Sequence, residues 1–527
     1  MTEVVHCLFI AREGKPPLVV NLTKTYTVTV SAPKTLTVAR NTKRYVTKGM
    51  TTAGVAGMAV LYGENGAGKT SAMIDMATVF GDNRKFKTAG GLYEKNGKLF
   101  VRPGKALQRY AIVGKEGDIQ KSDDQLRCLS VFYTTSPFDA DRRRRLGNNH
   151  WVRDVSPAYG ERNTFDGLSL LKVRDQLQMP FLDHASIRIR LLVRSVSNSM
   201  IAISNQMGNT RNPHVPLVRR KVMEAAADLP EHEQMQLRCW LSLFVVAHER
   251  KSRAFPAKFV RQLDLFPKSA DSRGDLYELW KTVIRATFRC MKKDDVVQVM
   301  ELLQLLSQPE FSKRLAERYT PAELQAMIAL RLPGRNESLR QCTELGVLEF
   351  SLSGLSSGET AHAIIFASLY GGLERMSREG GQHPVFLLLD EGEMFLHPSW
   401  QRVYIDKLLE FVRHMRKLKG RLYLLLATHS LIVAADAPPY SLVNVSSGEQ
   451  VNGFGLGPRS TLADVYKVAV FQGKSSETEF KRIEAFINAP RRQDYEPIRK
   501  LTEALADVHV RKFLEQQVAE ALERCRA

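Results

Sequence analysis

Apolar and polar positions change period several times along this chain, and each change predicts a different kind of element. Residues 4–62 alternate in short runs such as KTYTVTV and LTVAR, the period of half-buried strands. They predict an antiparallel, β-rich lobe that closes on a central strand at 58–62. Residues 63–140 predict a helix, a glycine-rich turn region (TAGGLYEKNGKLF) and strands in LFVR, ALQRYAIVG and CLSVFYT. From about 141 to 345 the character changes to a mostly helical, basic insertion: polar stretches lead into SIRIRLLVRSVSNSMIAI and then into EHEQMQLRCWLSLFVVAHER, GDLYELWKTVIRATFRCMKK and DVVQVMELLQLLSQ, where apolar residues three and four apart predict helices with one buried face. No heptad is sustained, so a compact helical arm is expected rather than a long coiled coil. After 345 the α/β pattern resumes with LGVLEFSLSG, a helix in GETAHAIIFASLYGGLERM, and unbroken apolar runs at 385–389 and 422–427. Such runs suit strands covered on both faces of a parallel sheet. From about 460, TLADVYKVAVF, SETEFKRIEAFI and the segment 490–525 predict a helical tail. The resulting division is 1–140, 141–345, 346–459 and 460–527.

Candidate chemistry gathers at the ends of the apolar strands. GENGAGKT at 63–70 leads from a strand into a helix near Lys69, the setting in which a glycine-rich turn cradles phosphate. Gly63, Gly66 and Gly68 let backbone N–H groups converge without a Cβ in the way, and the helix start adds partial positive charge. Lys69 is placed to reach the β- and γ-phosphates, and the Thr70 hydroxyl to take a position on magnesium. The strand in HPVFLLLDEGEMFLHPSW ends in two carboxylates: Asp390 to hold magnesium through water, Glu391 to polarise the attacking water. ATHS at 427–430 delivers His429 to the C-terminal end of another buried strand, where ligands gather in open α/β sheets. Its imidazole can accept from the water or contact the γ-phosphate.

With LSSGE at 355–359, these motifs form an ordered set that resembles the nucleotide-binding head of the ABC ATPase superfamily. The LDEGEMFLHP form is similar to that of the soluble RecF-like, SMC-like and OLD-like branch, which includes many bacterial phage-defence ATPases such as the Septu-like and retron-associated ones. The resemblance covers about 55–85, 345–400 and 420–437, with a weaker match at 131–139. It implies an ABC-type α/β head with ATP and Mg2+ as cofactors. The phosphate loop would comprise Gly63, Glu64, Asn65, Gly66, Ala67, Gly68, Lys69, Thr70 and Ser71. Ser356, Ser357 and Gly358 would contact the γ-phosphate held by a partner subunit, Thr70 and Asp390 would serve magnesium, and Glu391 and His429 would be catalytic. Two heads would sandwich two ATPs head to tail, in a homodimer or higher homo-oligomer.

The pattern also departs from its relatives. Gly392 stands where many have proline, a loss of rigidity that removes no catalytic group. The glutamine that senses magnesium in relatives has no clear counterpart: Gln125 precedes FYTTSPFD at 132–139, and Thr134 or Ser136 is a substitute beside the plainer reading of a Ser-Pro turn.

Composition narrows the setting. The chain's 527 residues can hold two or three domains with cores of their own. No apolar run nears the roughly 20 residues that span a bilayer, and MTEVVHCLFIAREGK lacks the pattern of a signal peptide. Cys7, Cys128, Cys239, Cys290, Cys342 and Cys525 are scattered without metal spacing, which suits a reducing cytoplasm. Lys and Arg number 76 against 56 Asp and Glu, a net charge of +20 with local clusters at 142–145, 219–221 and 251–273. Such a field favours DNA, RNA or an acidic protein, with solvated surface charge as the ordinary alternative.

Three functions follow as expectations. One is the sensor and regulatory ATPase of an anti-phage system, controlling a separate nuclease or toxin, since no acidic cluster of a nuclease follows His429. Another is a RecF-like DNA repair ATPase. The third is a scaffold that uses ATP to assemble an oligomer.

Overall fold

A computed structural model describes residues 3–12, 14–31, 34–40, 54–64, 66–78, 89–102, 104, 109–114, 119–121, 128–136, 143, 146, 151–157, 167–206, 215–251, 259–260, 263, 272–291, 293–315, 317–379, 381–457, 474–505 and 507–524. It is a mixed α/β architecture with β-rich N-terminal sheets and a largely helical middle and C-terminal region.

At its centre a seven-stranded sheet runs in the order Val152–Asp154, Leu129–Thr134, Val385–Asp390, Leu422–Ala427, Val55–Tyr62, Leu442–Asn444 and Gln450–Val451. All neighbours are parallel except the last pair. Strand alternation explains the unbroken apolar runs. Val385, Leu387, Leu389, Leu422, Leu424 and Leu426 enter one core, whereas Phe386, Leu388, Tyr423, Leu425 and Ala427 enter a second on the opposite face. Each fully buried side chain of this kind contributes about 1.5–3 kcal/mol, and neither face is left to water. Helix Lys69–Thr78 covers the second core through Ala72, Met73, Ile74, Met76 and Ala77. Helix Ser357–Glu379 covers the first through Ala363, Ile365, Phe366, Leu369 and Leu373.

The N-terminal lobe holds a five-stranded sheet and a three-stranded one, with Tyr26–Ser31, Thr35–Arg40 and Ala111–Gly114 in the latter. The glycine-rich stretch expected to be a turn is strand Ala89–Lys95, in which Gly90 and Gly91 pair with Phe9 and Leu8. Only Asn96 and Gly97 turn, with φ of +54° and +73°, before strand Lys98–Arg102. The cross-strand pairing outweighs the weak strand preference of glycine. Gly57 docks the lobe onto the central sheet: Met58 N–H donates to Leu22 O at 3.0 Å, and a Cβ at Gly57 would collide with that carbonyl.

The central sheet takes its outermost strand, Val152–Asp154, from within 141–345. Beyond it, strand Ser186–Leu191 pairs antiparallel with Leu348–Ser353 and Arg318–Tyr319 in a small separate sheet. Helices Val196–Gln206, Val215–Ala227, Glu231–Lys251 and Ser272–Cys290 share a core of their own, with Ile203, Val222, Phe244 and Val283 inside. Helices Lys474–Asn488, Tyr495–Glu503 and Val508–Arg524 close around Ile483, Phe486, Ile498 and Val518; TLADVYKVAVF lies outside the described residues. Among the described residues no helix is long and apolar enough to cross a membrane.

Candidate functional site

Register alone brings the predicted residues to one edge. Thr134, Asp390, Ala427 and Leu61 are successive partners across four parallel strands, so the residues that follow each strand emerge side by side.

From the Val55–Tyr62 strand comes the glycine loop. Gly63, Gly66 and Gly68 have φ of +151°, +80° and +93°. A Cβ at Gly66 or Gly68 would meet nothing within 4 Å, so glycine is required there by backbone conformation, not by space. Ala67 N–H donates to Glu64 O at 3.2 Å, and Ala72 N–H to Gly68 O at 2.9 Å as the helix begins. Lys69 is buried, and its Nζ donates to the carbonyls of Gly63 (3.1 Å) and Glu64 (3.3 Å). Burial lowers its pKa, while the nearby Glu391 and Asp390 oppose that shift. Ser71 is half-buried in the first helical turn, and Asn65 lies outside the described residues.

Two hydroxyls converge on the first carboxylate. Thr70 Oγ1 donates to Asp390 Oδ2 at 2.8 Å and Thr134 Oγ1 to the same oxygen at 3.1 Å; Asp390 is fully buried. Ser136 contributes its N–H, which donates to Thr134 Oγ1 at 3.1 Å, so of the two substitutes considered for the missing glutamine Thr134 is the one at the carboxylate. Gln125 lies outside the described residues. Among the described residues no cluster of three or more His, Cys, Asp or Glu side chains could cage a metal by itself. A threonine hydroxyl with one carboxylate instead fits a magnesium ion that takes the rest of its shell from phosphate and water.

The second carboxylate faces the histidine. Glu391 Oε1 lies 3.3 Å from His429 Nε2, and that bond, with charge from His429 and Lys69, holds the Glu391 carboxyl below its ordinary range against the effect of burial. Glu391 has φ of +53°, a conformation that costs a non-glycine residue about 1–3 kcal/mol and collects at functional sites. It is pinned at both ends: its N–H donates to Ala427 O (2.9 Å) and its carbonyl accepts from Thr135 Oγ1 (2.7 Å).

Behind this pair lies a polar layer that motif reading missed. Glu393 is 4% exposed and accepts from the buried Thr428 hydroxyl; burial pushes its carboxyl up to about 7. Gly392 adjoins the fully buried Tyr404, and any Cβ at 392 would fall under 3.0 Å from Tyr404 Oη. Any residue with a Cβ there, proline included, would have to displace the Tyr404 hydroxyl, so packing adds a steric reason for glycine. A glutamate two positions beyond Glu391 was a signal open to the sequence; Tyr404, supplied by a later helix, was not.

The LSSGE segment stands apart from this edge. It follows strand Leu348–Ser353 of the small separate sheet, and helix Ser357–Glu379 starts inside the motif. Ser356 N–H donates to Glu359 Oε2 (2.8 Å) and Glu359 N–H to Ser356 Oγ (3.3 Å), a reciprocal capping box. Ser356 and Ser357 are exposed, Gly358 partly so. A Cβ at Gly358 would stand 3.7 Å from Phe395 O, and His362 of the same helix packs edge-on against Trp400, ring centroids 4.7 Å apart. The helix is thereby joined to the loop that follows the carboxylates.

No protein-family model matches the chain, and no curated protein matches it either.

Proposed function

We propose that the chain is a magnesium-dependent ATPase. The observation that carries the reading is the convergence of Thr70 and Thr134 on Asp390, beside the Glu391–His429 pair and the Lys69 helix start. The residues present fit ATP and Mg2+: the glycine loop and Lys69 would hold the phosphates, and Thr70 and Asp390 the cation. Bound magnesium would supply charge neutralisation at the phosphates. Glu391, kept ionised at neutral pH, is suited to take up the proton of an attacking water, with His429 orienting it. Lys69→Ala should abolish ATP binding, whereas Glu391→Gln should bind ATP and turn over slowly; equal affinity and turnover in wild type and both variants would sink the reading.

Its setting, in the same proposal, is a regulatory subunit of a bacterial anti-phage system. The exposed Ser356 and Ser357, with the partly exposed Gly358, would close on the nucleotide of a second copy, in a homodimer or larger oligomer, and a separate effector would act on the outcome. The five described cysteines are buried and form no disulfide, which supports a cytoplasmic site. A RecF-like repair role is favoured by the +20 net charge, but not by all of its clusters. Arg143 is 11% exposed and bound to Asp154 at 2.8 Å, Arg220 pairs with Glu224, and most of 251–273 lies outside the described residues. Strong stimulation of ATP turnover by duplex DNA, without any partner protein, would favour repair over defence.

A further inference from the structure

Both residues that flank His429 are anchored to the loop that follows the carboxylates. The buried Thr428 hydroxyl accepts from Ser430 N–H at 2.8 Å and donates to Glu393 Oε1. Thr428 N–H donates to Leu61 O at 3.0 Å, two residues before the glycine loop. On the other side, Ser430 Oγ donates to Gln401 Oε1 at 2.6 Å, while Gln401 Nε2 donates to the carbonyls of Leu396 (3.0 Å) and Glu393 (3.4 Å). His429 therefore sits between two tethered residues when it reaches Glu391.

A carboxyl at 4% exposure is an expensive way to fill a loop that an apolar side chain could fill. It does offer an acceptor aimed at one hydroxyl, whose own acceptor side is taken by Ser430 N–H. We propose that Glu393 is a positioning residue, which through the Thr428 hydroxyl fixes His429 against Glu391. This inference rests on the ATPase reading above. What the Thr428 hydroxyl takes from Glu393 is one acceptor oxygen, which does not depend on charge. The role is thus open to an uncharged amide of the same shape.

The test is steady-state hydrolysis of Mg·ATP by the full chain, with kcat and KM resolved. Glu393→Met removes the acceptor and Thr428→Val the donor; each should lower kcat about 10- to 100-fold through misplacement of His429, with KM changed by no more than about twofold. Glu393→Gln keeps the acceptor and Thr428→Ser the donor, and both should stay within about threefold of wild type. Because the two residues act through one bond, the double variant Glu393→Met/Thr428→Val should be no slower than the slower single. A Met variant as fast as wild type, a Gln variant as slow as Met, a Ser variant as slow as Val, or losses that multiply would each overturn the proposal. Should Glu393→Met fail to fold, the Val and Ser variants at 428 decide the matter. A wild type that hydrolyses no ATP overturns the ATPase reading and this inference with it; wild-type turnover that is insensitive to these changes overturns this inference alone.

Discussion

Substituting Gly392 by alanine probes the packing that holds the carboxylate loop. A Cβ built there falls under 3.0 Å from Tyr404 Oη, whereas Tyr404 Cζ and Leu389 Cδ2 stand at 3.5 and 3.6 Å. Gly392 does not have a positive φ, so the cost is steric and not conformational. Tyr404 is 1% exposed and begins helix Tyr404–His414, which leaves its ring no path into solvent. Forcing a methyl against such a ring costs about 1–3 kcal/mol, a fall of roughly 2–12 °C in melting temperature for a domain of this size. Tyr404→Phe removes the offending atom and leaves only ordinary contacts. The Tyr404 hydroxyl has no hydrogen-bond partner among the described residues, so its loss alone should be nearly neutral. In the Tyr404→Phe background Gly392→Ala should cost less than about 0.5 kcal/mol, a coupling that thermal and urea unfolding of the four proteins would measure. Wild-type stability in Gly392→Ala, or the same loss in both backgrounds, would refute the packing argument.

Other consequences follow from single groups. Glu393 keeps its proton to about pH 7 in the fold, against 4.5 ordinarily. Since the folded state holds a proton the unfolded chain has released, stability falls as pH rises from about 4.5 to about 7, by roughly 3 kcal/mol in all. Glu393→Gln should flatten that slope in urea midpoints taken across the range, and coincident profiles would contradict it. Thr70→Val keeps the shape but removes the 2.8 Å bond to Asp390. It should raise the magnesium needed for half-maximal turnover about tenfold or more, and an unchanged magnesium titration argues against Thr70 as a ligand. Arg143→Ala removes the ion pair to the 13%-exposed Asp154, which keeps its bonds from Ser156, a loss of about 1 kcal/mol, near the surface limit. It should leave the salt dependence of any DNA binding unchanged; a slope reduced by about one with no loss of stability would place Arg143 on phosphate instead.

The sequence was most legible where one physical rule dominates. Two-faced burial makes 385–389 and 422–427 read as parallel strands without ambiguity, and their alignment follows because the carboxylates and His429 leave at equivalent ends. The glycine loop was legible because its backbone conformation admits few other residues. Pairing over long separations was less so. Nothing local shows that Gly90 and Gly91 sit opposite Phe9 and Leu8, nor that Val152–Asp154, inside the stretch expected to be a helical arm, joins the central sheet. The Gly392–Tyr404 contact and the Glu393–Thr428 bond join residues 12 and 35 positions apart through folding alone. Charge misled in part, because a run of arginines does not say that Arg143 turns inward to Asp154.

The most direct test of the central claim is the mass and ATP turnover of wild type, Lys69→Ala and Glu391→Gln, each followed with and without Mg·ATP. The account predicts that Glu391→Gln retains ATP and shifts to a dimer or larger assembly when Mg·ATP is added. Lys69→Ala should bind no ATP and keep its starting mass, and only wild type should turn over appreciably. The same ATP affinity, the same turnover and the same mass in all three proteins would contradict it.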